Sequence, residues 1–128
     1  MAGNIKGITI EFQGDTTKLD KALRQINNNT KSLDRELKQV DKALKFNPTS
    51  VELWRQKQQL LTQKVEETRN KLDALKQAQA QMDASGVDKN SQEYRELQRE
   101  IIVTENQVKT FEGQLKKVGN VNLRATSE

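Results

Sequence analysis

The sequence predicts an all-α protein of three long heptad-patterned helices, arranged as an antiparallel bundle or coiled coil and preceded by one short β-strand. The first reason is that apolar residues recur at alternating steps of three and four over most of the 128-residue chain. This is the a/d spacing of a helix that packs against another helix. The second reason is composition: 33% of the residues are hydrophobic and 31% are charged. Globular domains average about 45–50% apolar and about 25% charged residues, so this chain has too little apolar surface for a thick core.

We divide the chain into a strand and turn over residues 1–14, a helical region over 15–118 and a frayed tail over 119–128. The helices are expected at about 16–45, 50–84 and 91–118. Pro48 separates the first two helices, because proline lacks the N–H that a helix needs and disfavours helix at the residue before it. Gly86 and Gly119 suit the ends of the second and third helices.

Each predicted helix also begins after a residue that can cap its free N–H groups. Asp15 is placed to cap the first helix. Thr49 with Glu52, and Asn90 with Glu93, have the spacing of a capping box before the second and third helices.

The a/d row of each helix is called its seam here, and seam residues are predicted to contact other helices. Because short connections favour antiparallel neighbours, the simplest arrangement folds the three seams onto one another. The alternative is that seams of several copies pair between chains, which a heptad pattern does not decide. The predicted contact residues are Leu19, Leu23, Ile26, Leu33, Leu37, Val40, Leu44, Trp54, Leu61, Val65, Leu72, Leu75, Tyr94, Leu97, Ile101, Val108, Phe111 and Leu115.

The predicted strand covers residues 5–12, where Ile8, Ile10 and Phe12 alternate with less apolar residues. A single strand cannot satisfy its own backbone groups. These three residues are therefore candidates for pairing with the same strand of another copy or with a partner protein. The other interpretation is that they cover one end of the helices.

The composition argues against an enzyme, since the chain contains no histidine and no cysteine. Histidine and cysteine are the main ligands of zinc, cysteine is the source of thiolate chemistry, and histidine is the commonest general base. We therefore expect no metal and no cofactor. The acidic residues, for example Glu93, Glu96 and Glu100, are expected on the solvated helix surface. Phe46 and Trp54 flank the Pro48 break and could form a binding patch, although Trp54 also fits a seam position.

The charge pattern gives little support for nucleic-acid binding. The net charge is +4, and residues 16–46 carry eight Lys/Arg and four Asp/Glu. These charges alternate along a helix without interleaved aromatics, which is typical of a solvated face. No long apolar run predicts membrane contact and no signal peptide is seen at the start, so we expect synthesis in a cytoplasm.

The sequence resembles the start of tail tape-measure proteins of long-tailed phages and prophages of Gram-positive bacteria. The most specific stretches are GNIKGITI at residues 3–10 and GDTTKLDKAL at residues 14–23. Further similar stretches are LKQVDKAL at 37–44, NPT at 47–49, and residues 60–72 and 94–105. The coiled-coil remainder is generic.

The resemblance implies a structural role: a long helical protein inside the tail tube that sets tube length during assembly. It implies a virion-tail location after assembly in the host cytoplasm, with itself and other tail proteins as partners. Family members are usually several hundred residues or more, so a 128-residue chain is expected to be an N-terminal piece. The alternative function is a free-standing coiled-coil adaptor or a small assembly chaperone.

Overall fold

The described part of the chain is predominantly α-helical, as the sequence predicts. The computed structural model describes the backbone of residues 3–5, 8–10 and 17–127, and the side chains of residues 21–120. Within these limits it contains α1 (Thr17–Phe46), α2 (Val51–Ala84) and α3 (Gln92–Ser127). α2 contacts both other helices, whereas the described residues of α1 and α3 have no Cα atoms within 8 Å of each other. α2 is therefore the central helix.

The break after α1 follows from Pro48, and a serine caps the next helix. The N-cap of α2 is Ser50, whose hydroxyl accepts a hydrogen bond from the Leu53 N–H at 3.2 Å. The sequence predicted Thr49 in this role, so the capping residue was misplaced by one position. The reason is that α2 begins at Val51, which leaves Thr49 one residue too early to reach the free N–H groups.

The start of α3 shows the same shift of one residue. The Ser91 hydroxyl accepts from the Tyr94 N–H at 3.3 Å, in place of the predicted Asn90. Asn90 instead donates its backbone N–H to the Asp88 carboxylate at 2.9 Å, which holds the turn before the helix. Asp15, the predicted cap of α1, lies outside the described residues.

The end of α2 is a Schellman motif built on Gly86, as the sequence predicts. Gly86 has a φ of +74°, a conformation that glycine adopts without steric cost. The Gly86 N–H donates to the Asp83 carbonyl at 3.2 Å and the Val87 N–H donates to the Met82 carbonyl at 3.0 Å. Val87 also packs against the cluster that contains Met82, which is the apolar contact that usually accompanies this motif.

α3 is longer than the sequence predicts, because it continues to Ser127 instead of ending near Val118. The sequence predicts that Gly119 ends this helix, as a glycine with positive φ often does. Among the described residues, Gly86 is the one glycine with positive φ, so Gly119 continues the helix. A glycine inside a helix costs about 1 kcal/mol relative to alanine, which weakens a helix without necessarily ending it.

Before α1 lie two three-residue strands, β1 (Gly3–Ile5) and β2 (Ile8–Ile10), which pair antiparallel. β1 contacts α1 and β2 contacts α3. In β2, Ile8 is paired with Ile5 and Ile10 with Gly3 of the same chain. The single strand predicted over residues 5–12 includes Phe12 and other residues outside the described ones, so that prediction stays a prediction.

The buried side chains form two apolar clusters. The Leu75 cluster consists of Leu23, Leu75, Ala78, Met82, Tyr94, Leu97 and Ile101. The Leu61 cluster consists of Leu37, Leu61 and Val118, with Trp54, Leu60 and Leu115 packed against it. Each cluster takes residues from all three helices. Along each helix one seam threonine lies between the two clusters in sequence: Thr30, Thr68 and Thr104.

Candidate functional site: helix interfaces and a groove

The predicted contact residues lie mostly on the buried side of their helices. The structure describes the side chains of all the predicted contact residues except Leu19. These side chains fall into a buried group and a half-buried group. The half-buried residues are Trp54, Leu72, Phe111 and Leu115. The buried residues are Leu23, Ile26, Leu33, Leu37, Val40, Leu44, Leu61, Val65, Leu75, Tyr94, Leu97, Ile101 and Val108. Three buried apolar residues, Ala78, Met82 and Val118, are not among the predicted contact residues.

Two ion pairs set the register between α1 and α2. Asp34 pairs with Lys64, and Asp41 pairs with Lys57 at 2.7 Å. The partners shift by seven residues in opposite directions along the two helices, which is one heptad in an antiparallel pair. Extending this register by one turn brings Thr30 level with Thr68.

A buried ion pair joins α2 to α3, which sequence reasoning missed. Lys71 Nζ lies 3.2 Å from Glu100 Oε1, and the two side chains are only 16% and 7% exposed. Glu100 had been expected on the solvated surface, and that expectation is wrong. Its position directly before seam residue Ile101 was the available signal, because charges that flank a seam often pair between helices.

The buried threonines satisfy their hydroxyls within their own helices. Thr68 Oγ1 donates to the Lys64 carbonyl and Thr104 Oγ1 donates to the Glu100 carbonyl, each at 2.7 Å. Back-bonding of this kind removes the cost of burying a hydroxyl without a partner. Thr68 and Thr104 lie between the two apolar clusters along their helices, and the Lys71–Glu100 pair is within four residues of them in sequence.

A groove opens beside the Leu61 cluster, between the facing sides of α1 and α3. Its volume is about 590 Å³. Leu37, Leu61 and Val118 line it together with the half-buried rings of Trp54 and Phe111. The charged residues that line it are Asp34, Lys38, Asp41, Lys57, Lys64 and Lys117.

Lysines from α2 connect the groove's aromatic and acidic groups. Lys64, which pairs with Asp34 on α1, also lies over the Phe111 ring of α3, with Nζ 4.3 Å from the ring centroid. Lys57 Nζ lies 5.6 Å from the centroid of the Trp54 ring. Trp54 Nε1 donates to the Pro48 carbonyl at 2.8 Å. Trp54 therefore both packs against the Leu61 cluster and ties the α1–α2 turn to α2.

Phe46 differs from Trp54, although both flank the same turn. The Phe46 side chain is 84% exposed at the last residue of α1. Ile102 and Val103, on the outer side of α3, are 58% and 40% exposed. Isolated apolar residues on a surface are common in soluble proteins, so none of these three by itself marks a site.

The α2–α3 turn is held by a hydrogen bond that also changes the pKa of a tyrosine. The Tyr94 hydroxyl donates to Asp83 Oδ1 at 2.7 Å, from the first turn of α3 to the last turn of α2. This hydrogen bond raises the pKa of Tyr94, and burial and the negative charge of Asp83 raise it further. The neutral tyrosine therefore holds the two helix ends together.

The part of the chain that the structure describes lacks two further features. No group of three or more acidic side chains there is arranged to hold a metal ion. None of the described helices contains a stretch with the length and hydropathy of a membrane span.

Comparison with known proteins gives one informative relative. The chain is 32% identical over 113 residues to a probable tape measure protein of Lactococcus phage SK1. The match covers 85% of this chain and 11% of the phage protein. No protein-family model and no solved structure matches the chain. The resemblance seen in the sequence is thus confirmed: the chain matches a fragment of a tape measure protein.

Proposed function

We propose that this chain, which matches a fragment of a phage tape measure protein, is part of a phage tail protein that acts in tail assembly and length determination. The observation that carries the proposal is the relative that matches over 85% of the chain. The chain spans about a ninth of that relative's length, since the match covers 11% of it. This chain therefore corresponds to one segment of the longer phage protein, and we propose a part in that protein's role for this segment.

The helical structure supports a mechanical role in place of a chemical one. α1 and α2 have 30 and 34 residues, and at ~1.5 Å per residue such helices are roughly 45–50 Å long. The helices join through apolar clusters and ion pairs, and the sequence lacks histidine and cysteine. We therefore propose that the chain is not an enzyme and requires no cofactor.

The seam residues are proposed as the contacts through which this segment folds or assembles. The burial of several of them in the Leu75 and Leu61 clusters supports contacts within one chain. The proposed partners are other tail proteins and further copies of the chain, in the virion tail after assembly in the host cytoplasm. Pairing of Ile8, Ile10 and Phe12 with a partner strand stays a prediction.

The test is to interrupt the gene with an early stop codon and examine the particles by electron microscopy. We expect heads without normal tails, and tails restored by the intact gene supplied from a plasmid. Normal tails in the interrupted phage would contradict the proposal.

The alternative is a free-standing coiled-coil adaptor or small assembly chaperone. The reading frame in the source genome separates the two functions. A frame that continues for hundreds of helical residues favours the tail protein, whereas a frame that ends near residue 128 favours the adaptor.

A further inference from the structure

We propose that the groove between α1 and α3 is a docking site for an amphipathic helix whose apolar stripe is flanked by acidic residues. The proposal concerns this chain alone and does not depend on the tail function. Three features of the molecule support it: the helix arrangement, the charges of the groove and the position of its aromatic rings.

The arrangement leaves room for a helix beside α2. α1 and α3 both pack on α2, but no Cα atoms of their described residues approach within 8 Å of each other. Side chains of α1 and α3 meet in the Leu61 cluster, through Leu37 and Val118, while the backbones of the two helices stay further apart. This separation leaves the groove open above the cluster.

The groove has the surface that a helix in a groove requires. The apolar face of an incoming helix packs against apolar and aromatic side chains, with charges at the rim. Here Leu37, Leu61 and Val118 form a floor that is already buried, so the apolar surface left to cover belongs to the half-buried rings of Trp54 and Phe111. The lining runs from Asp34 to Asp41 on α1, which is about two helical turns.

The charges of the groove favour an incoming helix that carries acidic residues. Four lysines and two aspartates line the groove, a net charge of +2. Both aspartates are already paired with lysines of α2. Lys38 on α1 and Lys117 on α3 are exposed and have no ion pair within the described residues. These two lysines flank the groove on opposite sides, where carboxylates on both edges of an apolar stripe would meet them.

Tryptophan fluorescence can report binding at the groove, because Trp54 lines the groove and is the chain's only tryptophan. The probes are two synthetic helical peptides of about three heptads with leucine at a and d. One carries glutamate at the flanking positions and the other carries lysine. Each is titrated into the 128-residue chain while the Trp54 emission is recorded.

We expect the glutamate peptide to shift Trp54 emission and to bind at least about tenfold more tightly than the lysine peptide, with affinity that falls as salt increases. The double variant Lys38→Glu, Lys117→Glu should lower affinity for the glutamate peptide at least about tenfold. The matched control is Lys21→Glu, Lys89→Glu, two exposed lysines away from the groove. It makes the same change in net charge and should alter affinity less than about threefold.

Three results would overturn the proposal. The first is no binding of the glutamate peptide at concentrations up to about 1 mM. The second is equal loss of affinity in the groove variant and the control, which would mean attraction by net charge alone. The third is a dimer in light scattering that the Lys38→Glu, Lys117→Glu variant dissociates, which would mean that a second copy occupies the groove.

Discussion

Leu37 tests the helix contacts at the scale of a single side chain. It is 9% exposed and packs with Leu61 of α2 and Val118 of α3. Leu37→Asp would bury a carboxylate among these apolar groups, which we expect to lower the free energy of unfolding by about 3 kcal/mol or more. Urea unfolding followed by circular dichroism measures the change.

The control for Leu37→Asp is Gln39→Asp. Gln39 lies two residues after Leu37, on the exposed face of α1. It introduces the same charge without burying it, so stability should change by about 0.5 kcal/mol or less. Equal stability of the two variants would mean that Leu37 is not enclosed by the other helices.

Substitutions in the Lys71–Glu100 pair test how much a buried ion pair contributes to stability. Lys71→Ala leaves the Glu100 carboxylate in place at 5% exposure without this cation. We expect a loss of about 3–5 kcal/mol, whereas Lys71→Met with Glu100→Leu should cost far less, because removing both charges also removes their desolvation. Chemical denaturation of both variants measures this difference.

An exposed ion pair on the same helices is the comparison for Lys71–Glu100. Arg69 and Glu112 are 3.1 Å apart, with side chains 59% and 45% exposed. Arg69→Ala should cost only about 0–1 kcal/mol, since solvent screens the pair. A cost for Lys71→Ala no larger than for Arg69→Ala would show that the Lys71–Glu100 pair is not buried in solution.

At the scale of the helix, two glycines give opposite predictions for the same substitution. Gly86 has a φ of +74° with nothing within 4 Å of an added Cβ, so Gly86→Ala introduces backbone strain without a clash. We expect a loss of about 1 kcal/mol. Gly113 lies inside α3 with equal space around it, and Gly113→Ala should stabilise by about 0.5–1 kcal/mol. Thermal melts of both variants check the signs.

The α2–α3 connection also predicts an alkaline dependence of stability. The pKa of Tyr94 is raised in the folded chain, chiefly by its hydrogen bond to Asp83. The stabilisation is therefore complete below the unfolded-state pKa of about 10 and is lost as pH rises through the folded-state value. Because Tyr94 is the only tyrosine, ultraviolet absorbance of the phenolate reports its titration alone.

Two variants isolate the effect of Tyr94. Asp83→Asn should bring the pKa of Tyr94 back toward its ordinary value, and Tyr94→Phe should flatten the alkaline part of the stability curve relative to the parent chain. A Tyr94 titration that is the same with and without the Asp83 carboxylate would contradict the role of this hydrogen bond.

How far the sequence predicts these helices depends on which signal marks each boundary. Pro48 and Gly86 act through backbone geometry, and both breaks lie where the sequence places them. The caps at Ser50 and Ser91 were each missed by one residue, because several adjacent residues there could accept the same hydrogen bond. Gly119 was misinterpreted because glycine tolerates a helix as well as a left-handed turn.

At the scale of the whole molecule, periodicity predicts that helices pack but not which pairs of helices approach. The seams of α1 and α3 are as regular as that of α2, yet only α2 has Cα atoms within 8 Å of both other described helices. The groove and the buried Glu100 depend on how three helices are placed around one another. That placement is set by long-range contacts, which a single sequence does not encode as a local pattern.

The folded-back arrangement of α1, α2 and α3 gives the last prediction, for the parent phage. A helix that lies extended in the tail tube would contribute ~1.5 Å of length per residue. Deletion of residues 34–40 removes one heptad from α1 and keeps the phase of its seam. If α1 lies extended in the tube, tails should shorten by roughly 10 Å.

We expect the other result, because the contacts of α1 and α3 with α2 fold this region back on itself. A folded segment at one position in the tail does not add its helix length to the tube. The deletion also removes Leu37 from the Leu61 cluster and Asp34 from its pair with Lys64. Tail length in averaged electron micrographs should therefore stay unchanged while the yield of complete tails falls. The control for the measurement is a deletion elsewhere in the parent gene that does shorten tails. If deletion of residues 34–40 instead shortens tails by roughly 10 Å with normal yield, α1 is extended in the tube.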